Sequence, residues 1–504
     1  MSKIVFINPS YDKYAEVKIW SSDLMDYIYG KHITTMPKLV PMIMAALTPP
    51  KHSFVYIDEE IEDIDFNMAD VDFVAITAMT VQANRAYEIA DVFRKRGVKV
   101  AIGGIHASVL PDEAAQHADA VCLGEGENIW PAMLEDLESG ALKPRYEAKD
   151  YPPVIKLISP RVDAAKHEYY SIFPVMASKG CPYDCDFCSI KYSSGYKIRM
   201  KPVEQVIGEI RELEKLNHEA YKKTYQFVDD NLYINRGYLM DLLAALKGLH
   251  INWNAQGTLN TAMDDEVLRL MAEAGCRGYC IGFESISKAC LKEANKEKTN
   301  QVELYGLAVE NLSRHGIAPS GFFIYGFDND DKNIFNETLR FIGGINLIDP
   351  YFSVLTPYPG TRLYDRVKHR IFDRNWSHYN AVTCVFTPEQ MTPEELDTGT
   401  YGAGIETANL NTVKRQFDKF WSRGPWRSTP PFTLKERITL LLISLKLSLK
   451  KEYRDYAGFL IWAAAHKNAV NLFALLQAIF FADMAKKVTN IWRNSDKGSG
   501  LDVN

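Results

Sequence analysis

Three cysteines, Cys181, Cys185 and Cys188, stand close together in the stretch GCPYDCDFC. In a chain kept in a reducing compartment, clustered cysteines serve metal chemistry more often than disulfides. A structural zinc ion asks for four protein ligands, usually paired C-x₂-C motifs or cysteines joined by histidines. No histidine lies near these three, and Cys122, Cys276, Cys280, Cys290 and Cys384 are scattered along the chain. The spacing C-x₃-C-x₂-C suits a cubane iron–sulfur cluster instead, in which one iron stays open to a substrate or cofactor. Gly180 and Pro182 favour a turn that gathers the sulfurs. The bland alternative is three ordinary core cysteines, but that description fits Cys122, Cys276 and Cys280 better.

The elements that must position this loop follow a regular alternation. Strand patterns fall at 174–180, 225–231, 251–257, 278–285, 318–328 and 351–361. Helical patterns separate them, as in VEQVIGEIRELEKL, where Val206, Ile207, Ile210, Leu213 and Leu216 keep a helical period. Strands alternating with helices predict a parallel α/β sheet, with functional groups at the carboxyl ends of the strands. Asp229, Asp230 and Asn231 end the second strand, and Glu284 and Ser285 end the fourth. Taken singly, each of these carboxylates could equally be a solvated loop residue or a helix cap.

With Phe187 directly before its last cysteine, the motif resembles that of the radical S-adenosylmethionine (SAM) superfamily. The resemblance implies a partial (β/α)₆ barrel over residues 165–365. It implies a 4Fe–4S cluster on Cys181, Cys185 and Cys188, whose open iron is chelated by SAM. One electron, from a donor such as flavodoxin or ferredoxin, then cleaves SAM to methionine and a 5′-deoxyadenosyl radical. By the same resemblance Phe187, Asp229 and Asp230 belong to the SAM site, with the aspartates at its amino group. Glu284 and Ser285 meet the ribose, and the backbone near Ile324 in SGFFIYGFD meets the adenine.

Residues 1–150 form a different unit. Strand patterns in KIVFINP, FVYIDEEIE, DFVAITAMT, VKVAIGGIHA and DAVCLGEGE, with a helix in AYEIADVFRKRG, predict a doubly wound Rossmann-like domain. In MPKLVPMIMAAL a helix is expected, broken or begun by Pro41. No G-x-G-x-x-G follows the first strand, which argues against a dinucleotide. Through GGIHASVLPDEAAQHADAVCLGEGE (103–127) the domain is similar to the cobalamin-binding domain that precedes many radical SAM barrels. That likeness implies a cobalamin site at Thr77, Thr80, Gly103, Gly104, Gly124 and Glu125. Gly103 and Gly104 would let bare backbone approach the ligand. The Asp-x-His-x-x-Gly signature that supplies histidine to cobalt is absent, and His106 reads as a polar turn residue of the site rather than a cobalt ligand.

Residues 366–504 form a mostly helical region. Thr392-Pro393-Glu394-Glu395 reads as a helix start, and RGPWRSTPPFT (423–433) as a linker. Lys446, His466, Lys467 and Asp483 interrupt the apolar stretches, so no transmembrane helix is expected. Two readings stand for this region: a helical cap over the barrel, or an interfacial, lipid-receiving surface around LFALLQAIFF. NSDKGSGLDVN reads as a disordered tail. A net charge of −6 without a polybasic run argues against nucleic acid as a partner. MSKIVFINPSYD lacks the shape of a signal peptide, giving a cytoplasmic expectation, with contact at the inner membrane face under the second reading.

The resemblance points to cobalamin-dependent radical methylation of an unactivated carbon, through a 5′-deoxyadenosyl radical and methylcobalamin. The apolar C-terminal region points to a hydrophobic substrate such as an isoprenoid or other lipid; a peptide, tetrapyrrole or other natural product is the alternative. Cyclisation, oxidation or coupling on the same barrel is the rival reaction. A non-catalytic iron–sulfur or redox-sensing module is the rival class. No residue is assigned a catalytic role beyond cofactor binding.

Overall fold

A strand buried on both faces needs a continuous apolar run, and KIVFIN, FVAIT, KVAIG and AVCL supply four. In the computed structural model, which describes residues 2–11, 27, 34–148, 158–216, 224–423 and 434–465, they become strands of one parallel sheet. Its members are β1 (Lys3–Asn8), β2 (Ser53–Asp58), β3 (Phe73–Thr77), β4 (Lys99–Gly103), β5 (Ala120–Leu123) and β6 (Arg145–Glu147), in the order β2-β1-β3-β4-β5-β6. Val5, Ile7, Val74, Ile76, Val100 and Ile102 face one core, with Ala86, Ile89 and Phe93 of the helix Ala83–Lys95. Their neighbours Ile4, Phe6, Phe73, Ala75 and Ala101 face the other, with Met44, Trp130 and Met133. The order reverses between β1 and β3, so ligands are expected at the carboxyl ends there. The helix containing Pro41 runs Leu39–Leu47. The proline falls in its first turn, where a backbone N–H has no intrahelical partner to lose.

Further on come β7 (Phe173–Val175), β8 (Ser178–Lys179), β9 (Arg199–Met200), β10 (Thr224–Phe227), β11 (Asn252–Gly257), β12 (Cys276–Glu284), β13 (Ala318–Tyr325) and β14 (Asp349–Val354). The single strand expected over 174–180 is in fact two. β7 pairs with β10 in parallel, and β8 pairs with β9 as a small antiparallel ribbon. The break has a cause: the N–H groups of Ala177 and Ser178 bond to the Asp229 carboxylate and leave the ladder.

By its packing the described chain divides into two compact units. One holds 2–11, 34–148, 158–216, 224–246 and 355–387; the other holds 27, 247–354, 388–423 and 434–465. The barrel stretch expected over 165–365 is therefore shared between units. In the second unit β11 to β14 run parallel in the order β14-β13-β12-β11, with helices Tyr305–Arg314 and Ile334–Ile345 between strands. Helix Pro393–Ala408 opens on the capping box expected at Thr392 and Glu395 and packs on β14. Helices Leu434–Ser448 and Arg454–Ala465 pack on each other. Of the linker expected over 423–433, Arg423 ends the helix Leu410–Arg423 and the rest lies outside the described residues, as do LFALLQAIFF and the tail. Among the described residues no helix is long and apolar enough to cross a membrane.

Candidate active site

Cys181, Cys185 and Cys188 sit on the loop between β8 and the short helix Ile190–Ser193, partly exposed and outside any disulfide. Cys122, Cys276, Cys290 and Cys384 are buried instead. Burial pushes the Cys122 thiol up to about 12, away from the thiolate that binds metal. Three partly exposed thiols on one loop are the donor chemistry of a cubane cluster.

The loop is held from two sides within the first unit. On its entry side Asp229, fully buried, accepts from Ala177 N–H (3.1 Å), Ser178 N–H and Ser178 Oγ (2.6 Å). Asp230 accepts from Gly180 N–H at 2.8 Å. Burial raises both carboxyls, Asp229 to about 6. The two aspartates thus brace the chain leading into Cys181. Gly180 has φ +95°, and a Cβ there would run into the Lys197 carbonyl. On the far side Arg362 reaches Asp184 (2.5 Å) and Asp186 (3.3 Å), and Arg366 reaches Asp186 (3.0 Å). Phe187 is partly exposed beside them.

In the second unit Glu284 ends β12 at φ +63°, a conformation costly for a side chain with a Cβ. Surrounding bonds over-determine it. Asn300 donates to Gly282 O (2.6 Å) and Phe283 O (2.9 Å), Tyr305 donates to Phe283 O (2.9 Å), and Lys296 pairs with the Glu284 carboxylate at 2.9 Å. Ser285 is buried, its hydroxyl accepting from Ser287 N–H. Ile324 is half-buried near the end of β13.

The next turn is closed by Asp330, which accepts from Gly326 N–H (2.9 Å), Phe327 N–H (3.1 Å) and Cys290 Sγ (3.0 Å). Burial lifts its carboxyl from 3.8 to about 6. Stability contributed by such a group is present below its unfolded value and is lost as pH rises through about 6. The second unit should therefore lose on the order of 1–3 kcal/mol from this residue between pH 4 and pH 7. Asp330→Asn keeps an acceptor for both N–H groups and does not titrate, so its melting temperature should fall less over that range. Parallel falls in wild type and variant would reject the assignment.

In the first unit Thr77 ends β3 opposite Gly103, and Thr80, buried, opens the turn Thr80–Gln82. Gly103 packs on Cys122, and Gly124 (φ +81°) on Ala148. Gly104 has φ +94°, and a Cβ there would lie 2.5 Å from Ala78 O, so its own backbone requires glycine. His106 is not a turn residue. It is buried in the helix Ile105–Val109, with Nε2 3.3 Å from Glu113 Oε1 and its ring against Trp376. Glu125 gives both oxygens to Arg199. Thr77, Gly103 and Gly124 keep this carboxyl edge small, and His106 Nδ1 is buried with no hydrogen-bond partner. Both features fit a large ligand that the protein alone does not satisfy. Sequence reasoning placed Glu127 in the turn of the 103–127 stretch but missed Lys179, Arg199, Arg362 and Lys296, the first three of which have their partners far along the chain.

A Rossmann-like sheet joined to β/α strands and a three-thiol loop defines a class, the SAM-cleaving radical enzymes with a B12-type domain. Residues 175–342 match the model of the radical SAM superfamily, and residues 40–134 that of the B12 binding domain. The bacteriochlorophyllide d C-8(2)-methyltransferase of Chlorobaculum tepidum is 33% identical over 370 residues, covering 70% of this chain and 81% of that protein. The C-12(1)-methyltransferase of the same organism is 34% identical over 363 residues, covering 70% and 79%. The radical SAM methyltransferase TsrM of Kitasatospora setae, solved with cobalamin and a 4Fe–4S cluster, shares the fold. Its TM-score is 0.60 at 13% identity, over 97% of this chain and 100% of that one. The chain belongs to the radical SAM superfamily, in the branch that carries a B12 binding domain. It is an enzyme of the radical SAM methyltransferase kind, with a 4Fe–4S cluster, SAM and cobalamin as the cofactors of its domains.

Proposed function

We propose that this enzyme methylates an unactivated carbon of a flat, hydrophobic substrate, a tetrapyrrole macrocycle before an isoprenoid or other lipid. The observation that carries the substrate class is the open face of β11 to β14. Central strands of a parallel sheet are ordinarily buried on both faces. Here Phe322, on β13, is 37% exposed, and its ring lies 5.1 Å from that of Tyr351, its register partner on β14, at a 36° tilt. Two register positions earlier, on the same face, run Gln256, Cys280, Ser320 and Asp349, across four adjacent strands. Tyr351 Oη donates to Asp349 at 2.6 Å. An aromatic shelf backed by a polar row suits an apolar ring system with a hydrogen-bonding edge. The names of the two Chlorobaculum relatives, both bacteriochlorophyllide methyltransferases, favour the tetrapyrrole.

In this reading Cys181, Cys185 and Cys188 hold the cluster. In the first unit Phe187, Asp229 and Asp230 belong to the cluster loop and its SAM-facing surroundings, and the carboxyl edge of β3 to β5 holds cobalamin; in the second unit Glu284, Ser285 and the backbone at Ile324 are strand-end groups for SAM. Bound there, the cofactors supply an electron, a hydrogen-abstracting radical and a methyl group. The protein's share is to orient the substrate and keep water from the radical. The location proposed is the cytoplasm, and exposed Leu441, Leu442, Leu445 and Leu449 beside Lys446 favour contact with a membrane surface, there its inner face.

The test is direct binding, read by the absorbance shift of a chlorophyllide-type macrocycle added to the loaded enzyme. Wild type should bind it, and Phe322→Ala should weaken binding roughly tenfold or more. Binding of a hopanoid or prenyl lipid with none of the macrocycle would transfer the proposal to lipids. A cyclised, oxidised or coupled product without added methyl would overturn methylation.

A further inference from the structure

The ribbon of β8 and β9 opens into the cluster loop, and its register sets two cations side by side. Lys179, two residues before Cys181, pairs directly across from Arg199. Like charges at directly opposed positions destabilise a ribbon. Two acids from the turn after β5 offset them. Arg199 donates Nη1 to Glu125 Oε2 at 2.6 Å and Nη2 to Glu125 Oε1 at 2.5 Å, with Nη2 also reaching Ser194 O. Lys179 Nζ lies 2.5 Å from Glu127 Oε1 and 3.6 Å from Glu125 Oε1. Side chains of Glu125 and Arg199 are each 1% exposed. All four residues belong to the first unit.

Burying four charges gains little over well-packed apolar side chains, but it fixes register, because a displaced partner leaves an unpaired buried charge. The register in question is between two cofactor-bearing segments. Gly124–Glu127 is the turn assigned to the cobalamin edge, and β8 and β9 carry the stem of the cysteine loop. We infer that Glu125, Glu127, Lys179 and Arg199 are positioning residues that couple the two sites, so that seating the cluster loop and ordering the cobalamin-side turn are one event. The inference rests on the proposed assignments of the cluster and cobalamin sites. Coupling of this kind is reciprocal: whatever orders the turn also orders the loop.

The experiment measures cobalamin affinity on the full chain, with the cluster reconstituted anaerobically and with it removed. In wild type, cluster loading should tighten cobalamin binding by about fivefold or more. In the neutral pair Glu125→Gln with Arg199→Met, which leaves no buried charge unpaired at that contact, the ratio should fall to near one. Arg199→Lys, which keeps the charge but loses the two-pronged contact, should fall between. A wild-type ratio of one, or an unchanged ratio in the double variant, overturns the inference. If wild type binds no cobalamin, the site assignment has failed, and hydrogen exchange decides the coupling separately. Cluster loading should then still slow exchange at residues 124–127, and equal exchange with and without cluster overturns it.

Discussion

Cys185→Ala should reduce 5′-deoxyadenosine formation to background and strip the protein of its iron. The three thiolates are the whole protein share of a site that keeps one iron open, so losing one leaves two anchors for the cluster. The five other cysteines are poor substitutes, since Cys122, Cys276, Cys290 and Cys384 are buried and burial raises the thiols of Cys122, Cys276, Cys280 and Cys290. Cys181→Ala and Cys188→Ala should behave alike. Cys122→Ala is the control: it removes a core thiol beside Met133 and should keep both iron and SAM cleavage. The checks are iron and sulfide content after anaerobic reconstitution, and chromatography of nucleoside products under a strong reductant. Normal SAM cleavage by Cys185→Ala would overturn the cluster assignment. A folded, iron-loaded Cys185→Ala with no cleavage would mean that the loop serves SAM rather than iron.

The features that sequence makes legible are local ones. Cys181, Cys185 and Cys188 are close in the chain, so their spacing is itself the chemistry. Strands buried on two faces announce themselves as unbroken apolar runs, and the Thr392–Glu395 box lies within a single turn. What stays hidden depends on partners far along the chain. Nothing around Glu125 says that Arg199, 74 positions away, takes both its oxygens. Asp229 looks available to a ligand in sequence because Ala177 and Ser178, whose N–H groups fill it, lie about 50 residues earlier. Arg362 meets Asp184 from 178 positions away, a pairing that the neighbours of neither residue signal. His106 misleads because a histidine after two glycines suggests a turn, while Glu113 and Trp376 bury it.

Gly104 repeats the lesson with the second large effect. In sequence, its missing Cβ leaves room for cobalamin, and a bulky replacement such as Gly104→Leu should remove cobalamin while keeping the cluster and 5′-deoxyadenosine formation. In the structure Gly104 has φ +94° and ψ −178°, a region open almost only to glycine. A Cβ there would stand 2.5 Å from Ala78 O and 2.7 Å from Ala78 N. That backbone has little freedom to yield, since Ala78 N–H bonds to Gly103 O at 3.1 Å and Ala78 O accepts from His106 N–H at 3.4 Å. Strain of about 1–3 kcal/mol, added to the clash, takes a large part of the roughly 5–15 kcal/mol that typically holds a domain folded. Gly104→Ala should therefore lower the first domain's melting temperature by roughly 10 °C or abolish its folding. Cobalamin would be lost together with the far-ultraviolet signal of that domain. Thr77→Val is the cleaner probe of the ligand edge, because it keeps a β-branched shape at the end of β3 and removes only a hydroxyl. If Gly104→Ala melts with wild type and still loses cobalamin, the glycine faces the ligand after all, and the clash with Ala78 is not what reserves the position for glycine.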